Sequence, residues 1–527
     1  TTWDHASTTI TMTDPFGNSE VKTYDEAGRL VSLLSRNDLL RSFEYDEYGR
    51  LIYEKWHDGP SDLDSVVETI TWSYNAAGLV ASVGNSAGEY TYGYDSSGRV
   101  IYVTQPFGVW QQFAYDARGN RILVVDSLGG REESIYDNAG NLVRRVLTQD
   151  TVTLRVDQTF DSQGRVVTRS RYSDAAGTEL IATTKYVYDS AGRVLTITHE
   201  DASEDLISQF DYTYDVAGQI ASREEFQIGI DEDPWTTNYA YDEQGQLIAD
   251  GATSYDYDEG GNRDTGYSYE ENPDEVHYTN QMTGDGVHTY GYDGEGNMVW
   301  KHHLASGHVW TYEYDHARRL VGVHRYTESP FYHGTGGLVL AVEYKYDAFG
   351  NRLSKEVDPD GQGEEESYVQ RYAVDGWNPA KPTPIGTENY DVFADLDDLG
   401  SLTTRYLRGD IVDQLWARID VADPYWLLAD HLGSVRDVLD DEGTLVNSLA
   451  YDAWGNITTE TDDEYRGRYA WTGREFDVET ELQYNRARYY DPTTGRWMSQ
   501  DPLGFDAGDS NLYRYVSNTP ARWSDPS

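Results

Sequence analysis

A short alternation of aromatic and polar residues, closed by a polar turn, recurs along most of the chain. Residues 42–51 read SFEYDEYGRL, and the same order returns at 90–100, 111–121, 184–194 and 344–352. Side chains spaced two apart share one face of a β-strand, and the aromatic and β-branched content favours strands over helices. The Asp-x-x-Gly part is typical of a tight turn, because Asp bonds nearby backbone and Gly accepts a positive φ. The pattern predicts one β-hairpin per unit.

The spacing of these units predicts a repeat array. Intervals of 21 residues recur, as from Tyr24 to Tyr45, and widen where a turn has grown, as at 57–64 and 227–236. The tyrosines of the Tyr-Asp pairs stand at 24, 45, 94, 115, 136, 188, 214, 241, 257, 292, 314 and 346. Each hairpin must cover the aromatic face of its neighbour, so we predict an all-β, spiralling array. Residues 24–42 also fit helical spacing, but the repeat context favours strands.

The composition indicates that the core is built largely from tyrosine rings, which are apolar on their faces and polar at the hydroxyl. The chain has 44 Tyr and only 12 Phe, and a buried Tyr hydroxyl needs a hydrogen-bond partner. Cysteine is absent, which excludes disulfides and thiolate metal sites. The sequence contains no apolar run approaching the roughly 18 residues of a transmembrane helix.

The net charge of −51 excludes a general nucleic-acid-binding protein, which needs a cationic surface. Such a charge repels itself unless salt screens it. Two explanations stay open: a halophilic, acidic protein from a saline setting, or a repeat whose own Asp raises the acidic count.

The repeated segment Tyr-Asp-x-x-Gly-Arg/Asn, here called the YD corner, resembles the YD repeat of the Rhs family, shared with toxin-encapsulating subunits of Tc toxins and with teneurins. The likeness covers residues 20–355. Residues 430–456 and 468–527 resemble the Rhs-repeat-associated core segment. The latter likeness is carried by Thr472-Gly473-Arg474-Glu475, Tyr484-Asn485-Arg486-Ala487-Arg488-Tyr489-Tyr490-Asp491-Pro492, Gly495-Arg496-Trp497, Asp501-Pro502-Leu503-Gly504, Asn511-Leu512-Tyr513 and Asp525-Pro526. The resemblance implies a hollow β-shell closed at one end by the core segment.

On this basis the chain divides into a YD-repeat shell at 1–355, a less regular linking region at 356–425 and the core segment at 426–527. The linking region contains a Pro-containing loop at 376–388. The chain opens at Thr1 without a signal-like run, so we expect an excerpt of a longer protein that is secreted or displayed at the cell surface.

The resemblance implies an encapsulating shell that sequesters a C-terminal effector or toxin. Release follows self-cleavage at a signature that continues two residues beyond Ser527. The expected partners are that cargo polypeptide and a secretion or delivery apparatus. We expect no cofactor, no metal and no external substrate. The alternative is a cell-surface YD-repeat adhesin that binds glycans or a protein without cargo.

The resemblance also implies an aspartyl-type cut, for which Asp501 and Asp525 are the candidate carboxylates. One of two close carboxylates holds a proton while the other activates water. Arg488, or alternatively Arg496, would steady the developing oxyanion. The competing interpretation is that both Asp residues only form turns before Pro, as expected of Asp491.

Other constellations favour structural roles. Asp430, His431 and Ser434 have triad residue types but lie within one short family marker. His303, His308 and His316 would suit a metal only if hairpins brought them together. The acidic loop at 358–367 has Gln362 where an EF-hand requires Asp. The tyrosine rows would suit a glycan platform or, as we predict, rings stacked between hairpins.

Overall fold

The structure of the protein is a computed structural model. It describes residues 2–3, 9–14, 16–60, 63–271, 278–328, 337–376 and 391–525. Within these residues almost all regular structure is antiparallel β, arranged in three sheets, with short 3₁₀ turns. The predicted all-β array of hairpins is therefore confirmed. Residues 24–42, the best helix candidate, form strands.

The first sheet is a meander in which each strand pairs with the strands before and after it. Its strands are β1 Thr2–Trp3, β2 Thr9–Thr13, β3 Ser19–Tyr24, β4 Leu30–Leu34, β5 Leu40–Tyr45, β6 Leu51–His57, β7 Val66–Tyr74, β8 Val80–Asn85, β9 Gly88–Tyr94, β10 Val100–Thr104, β11 Trp110–Tyr115, β12 Arg121–Asp126, β13 Gly130–Tyr136, β14 Leu142–Gln149, β15 Val152–Phe160, β16 Val166–Tyr172, β17 Leu180–Tyr188, β18 Val194–Asp201, β19 Leu206–Tyr214, β20 Ile220–Gln227, β21 Asp231–Tyr241, β22 Leu247–Asp250 and β23 Thr253–Ser254.

The second sheet is a meander of the same kind. Its strands are β24 Ser268–Glu271, β25 Tyr278–Gly284, β26 His288–Tyr292, β27 Met298–His303, β28 Val309–Tyr314, β29 Leu320–Tyr326, β30 Leu338–Tyr346, β31 Arg352–Asp358, β32 Tyr368–Asp375, β33 Asp391–Leu396, β34 Leu402–Arg408, β35 Leu415–Asp420, β36 Asp423–Ala429, β37 Val435–Leu439, β38 Leu445–Tyr451 and β39 Ile457–Glu460.

The chain after β39 forms what we call the inner segment, residues 463–525. It contains a small sheet of β40 Glu475–Asp477, β41 Leu482–Asn485, β42 Arg488–Asp491 and β43 Arg496–Trp497. The 3₁₀ turns are Pro106–Gly108, Asp463–Tyr465, Trp471–Gly473, Gly504–Ala507 and Val516–Asn518. The described residues include no helix with the length and apolarity needed to cross a bilayer.

Each YD corner has the turn chemistry that the sequence predicts. In the corner after β5, Asp46 Oδ1 accepts hydrogen bonds from the backbone N–H groups of Tyr48 and Arg50, each at 2.9 Å. Asp46 Oδ2 accepts one from Arg50 Nε at 2.7 Å. Gly49 has a φ of +79°, which an L side chain rarely adopts. Where Asn replaces Arg, as at Asn120, its amide donates to the same carboxylate.

A β-bulge follows the corner. Tyr45 pairs with Leu51 and Glu44 with Tyr53, so Ile52 is an extra residue in β6. The same irregularity occurs after Tyr24, Tyr115, Tyr188 and Tyr346. Bulges increase the local twist of a strand, and one per unit favours a sheet that winds rather than lies flat.

Successive corners are linked through the arginine and the next tyrosine. The Arg29 guanidinium lies 4.9 Å from the ring centre of Tyr45, whose hydroxyl donates to the Leu30 carbonyl at 2.7 Å. The link recurs at Arg50–Tyr74, Arg99–Tyr115, Arg165–Tyr188, Arg193–Tyr214 and Arg319–Tyr346. The sequence predicts tyrosine rings stacked on one another between hairpins. At these corners an arginine covers the ring instead, because the corner Asp already anchors it.

The inner segment packs against both large sheets. Its Trp471 and Tyr490 belong to one buried cluster with Val83 of the first sheet and with Leu427 and Val438 of the second. Ion pairs reinforce this contact: Arg352 of β31 binds both Asp477 and Glu475 of β40. The inner segment thus shares a buried core with both large sheets, and its small sheet is ion-paired to the second.

The predicted division of the chain stays a prediction. Residues 355 and 425 both fall within strands of the second sheet, β31 and β36, while the break between the large sheets lies between β23 and β24. Most of the Pro-containing loop at 376–388 lies outside the described residues.

Candidate functional site

Asp501, Asp525 and Arg488 come together at the surface of the inner segment. Arg488 Nη2 lies 2.9 Å from Asp501 Oδ2 and 3.3 Å from Asp525 Oδ2. One guanidinium nitrogen therefore contacts two carboxylates that are 24 positions apart in the sequence. A cation between two carboxylates offsets their mutual repulsion and allows them to stay close.

Arg488 is fixed by its surroundings. It begins β42, is 7% exposed, and its guanidinium carbon lies 4.0 Å from the ring centre of Trp497. Its Nη1 donates to the Leu512 carbonyl at 3.5 Å. Burial lowers the pKa of Arg488, and the charges of Asp501 and Asp525 oppose that effect. The side chain therefore depends on both carboxylates to remain a buried cation.

Asp501 forms a turn and binds Arg488 at the same time. Its Oδ1 accepts from the Leu503 N–H at 2.8 Å, and its carbonyl accepts from the Gly504 N–H at 2.8 Å. Its N–H donates to Leu512 O at 3.0 Å, which ties the turn to the residues before Tyr513. The turn interpretation and the paired-carboxylate interpretation are thus compatible, because each uses a different oxygen.

Asp525 is held by its main chain as well as by its carboxylate. Its N–H donates to the Tyr515 hydroxyl at 3.3 Å. Its carbonyl oxygen accepts from Arg474 Nη2 and from Asn485 Nδ2, each at 3.3 Å. The carboxylates of Asp501 and Asp525 remain 17% and 22% exposed, so water can reach both. Pro526 and Ser527 lie outside the described residues.

Arg496, the alternative to Arg488, lies elsewhere. Its Nη1 donates to Asn262 Oδ1 at 3.1 Å, and its Nη2 to the Asn280 carbonyl. Arg496 therefore attaches the inner segment to the region where the two large sheets meet.

Asp430, His431 and Ser434 do not form a triad. Asp430 Oδ1 caps the backbone of Leu432 and Ser434, while the two ring nitrogens of His431 bond the Tyr212 hydroxyl and the Ala521 carbonyl. These contacts are structural, as the sequence favoured.

The histidines are not gathered into a metal site. His303 accepts from Ser306, His308 contacts Trp310, and His316 donates to the His57 carbonyl at 2.9 Å. The described part of the chain contains no group of three His, Asp or Glu side chains that could hold a metal ion. In the 358–367 loop, Asp360 caps four backbone N–H groups.

The sequence reasoning missed the roles of Arg474, Asn485 and Tyr515. Arg474 and Asn485 lie within motifs that carry the family likeness, yet nothing in their local spacing indicates contact with Asp525. Their partner lies 40 or more positions away, and only the folded inner segment brings them to it.

The chain is similar to several known proteins. The Teneurin YD-shell family model matches residues 400–521. The tRNA nuclease WapA of Bacillus subtilis is 30% identical over 283 residues, which is 52% of this chain. The toxin protein Tse5 of Pseudomonas aeruginosa is 26% identical over 354 residues, 57% of this chain. These similarities support an Rhs/YD-shell family for this chain.

The fold of this YD shell is that of solved Tc toxin shells. It matches the structure of TcdB2-TccC3 without its hypervariable C-terminal region, with a TM-score of 0.71 at 18% identity over 98% of this chain. It also matches the Tc holotoxin pore of Photorhabdus luminescens, with a TM-score of 0.74 at 18% identity over 97% of this chain. The expected β-shell closed by a core segment is thus confirmed.

The chain spans only part of the length of the proteins that it resembles. It spans 11% of WapA and 26% of Tse5, and 28% and 27% of the two solved chains.

Proposed function

We propose that this YD shell encloses a C-terminal effector or toxin polypeptide and frees it by cutting its own chain just beyond residue 527. The observation that carries the proposal is the pair of carboxylates, Asp501 and Asp525, held against Arg488 on the segment that closes the shell. The toxin relatives and the Tc shell fold support the same role. Delivery outside the producing cell, by a secretion or delivery apparatus, belongs to this proposal.

The chemistry proposed is hydrolysis of one peptide bond. One carboxylate takes a proton from water, whose oxygen bonds to the carbonyl carbon of that peptide. The carbon–nitrogen bond then breaks, and the leaving nitrogen takes a proton from the other carboxyl group. Arg488 would stabilise negative charge on the carbonyl oxygen or on the carboxylates as it develops.

The test is the intact mass of a chain that continues past residue 527 with its natural downstream sequence. We expect two products for the wild type and one uncut chain for Asp501→Asn. Asp423→Asn is the matched control. Asp423 also precedes a proline, but it is exposed and begins β36, outside the inner segment that carries Asp501. Complete cleavage of the Asp501→Asn chain would exclude the proposed role of this carboxylate.

The adhesin alternative receives less support from the tyrosine rows. A glycan platform needs free ring faces, whereas the Tyr45 ring is covered by Arg29 and the Tyr214 ring by Arg193. Their hydroxyls are used as well, since each donates to a backbone carbonyl. The rings therefore serve contacts between units.

A further inference from the structure

Two buried side chains donate hydrogen bonds to the main chain at Asp525, a contact here called the grip. Arg474 is 4% exposed and Asn485 is fully buried, and both donate to the Asp525 carbonyl oxygen at 3.3 Å. The two donors satisfy both lone pairs of that oxygen. This grip is separate from the contact between the Asp525 carboxylate and Arg488.

Each donor is oriented by a further side chain. Asp413 Oδ2 lies 3.0 Å from Arg474 Nη2, the same nitrogen that reaches Asp525. Asn485 Oδ1 accepts from Gln483 Nε2 at 2.9 Å, which turns its Nδ2 toward Asp525. Both donors are therefore oriented by contacts that do not involve Asp525.

Asp413 is itself fixed from two sides. Its Oδ1 lies 2.9 Å from Arg486 Nη2, which also binds Asp391 at 3.0 Å. The turn before Arg474 touches the Asp413 backbone: a Cβ on Gly473 would lie 2.6 Å from the Asp413 carbonyl oxygen. Gly473 also has a φ of +70°, so only glycine fits this approach without strain.

We propose that Arg474 and Asn485 are positioning residues for self-cleavage. They would hold the backbone at Asp525 so that the residues after it reach Asp501, while Asp413 orients Arg474. This inference rests on the proposed function. Misplacing a reacting group by about 1 Å can lower a rate about 100-fold, so a grip of this kind can matter as much as the reacting groups.

The experiment compares cleavage rates of chains that continue past residue 527. We expect Arg474→Met to cut about 10- to 100-fold more slowly than the wild type, and Arg474→Lys to recover part of the rate because Lys still donates. The pH profile should keep its shape in both variants, because Arg474 exchanges no proton in the reaction. Arg466→Met is the control: it removes another arginine–carboxylate pair of the inner segment, with Glu460, that does not contact Asp525.

A second measurement does not depend on cleavage. Hydrogen exchange of residues 515–525 in the 527-residue chain should speed up in Arg474→Met and in Asp413→Asn, but not in Arg466→Met. Asp413→Asn keeps the size of the side chain, so this variant provides the test if Arg474→Met fails to fold.

The outcomes separate the two proposals. If the wild type and Arg474→Met cut equally fast while Asp501→Asn stays whole, the positioning role is wrong and the proposed function stands. If no chain is cut, the proposed function is wrong. Unchanged exchange at 515–525 in both variants would overturn the grip itself.

Discussion

At the scale of single residues, Arg352 shows how the inner segment is fixed. It is about 2% exposed and contacts Asp477, which is fully buried, and Glu475. Burial by itself would raise the pKa of Asp477, but the charges of Arg352 and Lys355 lower it. A charge so deeply buried is tolerated only with its partner present.

We predict that Arg352→Met lowers the free energy of unfolding by about 3–5 kcal/mol, because it leaves buried carboxylates without their main cation. Urea unfolding followed by tryptophan fluorescence measures this effect. Arg50→Met is the matched control: it removes a partly exposed YD-corner ion pair, and should lower the free energy of unfolding by much less than Arg352→Met. Equal losses for the two variants would show that the Arg352 cluster does not anchor the inner segment.

At the scale of the element, the YD corner is a carboxylate turn whose strength depends on ionisation. The pKa is lowered for Asp25, Asp95, Asp161 and Asp189, in each case first by the backbone N–H of the arginine four residues later. A depressed pKa in the folded state means that the ionised form stabilises the fold. That contribution is complete above the unfolded-state pKa and is lost as the pH falls through the folded-state value.

We therefore predict that the melting temperature falls progressively as the pH drops below about 4, where the corner carboxylates begin to protonate. Thermal unfolding at fixed ionic strength between pH 7 and pH 2.5 measures it. Because many corners contribute, Asp189→Asn alone should change the fall of the melting temperature at low pH only slightly. A melting temperature that stays constant down to pH 3 would contradict the role of ionised corners.

The corner is also where prediction from sequence was most complete. Asp46 and Gly49 act within their own turn, so their residue types and spacing were enough to predict that turn. The bulge at Ile52 and the Arg29–Tyr45 contact depend on the neighbouring strand, which no local pattern reveals. In the candidate site, the family likeness singled out Asp501, Asp525 and Arg488, which lie together in the structure and whose catalytic role stays a prediction. The contacts of Arg474 and Asn485 with Asp525 form only in the folded inner segment.

At the scale of the whole molecule, the charge of −51 is the dominant electrostatic feature. Most arginines of the described residues pair with acids, yet 92 acidic residues exceed 41 basic ones. The excess negative charges repel one another. Salt shortens the range of this repulsion, because the screening length falls from about 10 Å at 0.1 M to about 3 Å at 1 M ionic strength.

We predict that the melting temperature rises by several degrees between 0.05 M and 1 M NaCl at pH 7, because screening weakens this repulsion. Differential scanning calorimetry provides the measurement. KCl should act like NaCl, because screening depends on ionic strength and not on the cation. A midpoint independent of salt would favour the alternative that the repeat itself accounts for the acidic count.

The meander order of the two large sheets has a consequence for how the protein folds. Strands that pair only with their sequence neighbours form contacts of low order, so the walls can assemble progressively as the polypeptide emerges from the ribosome. The inner segment follows every strand of both meanders, and its aromatic side chains need both of them as partners. We therefore expect the two carboxylates to meet Arg488 last, after both sheets have formed. Under the proposed function, self-cleavage would then wait until folding of the surrounding sheets is complete.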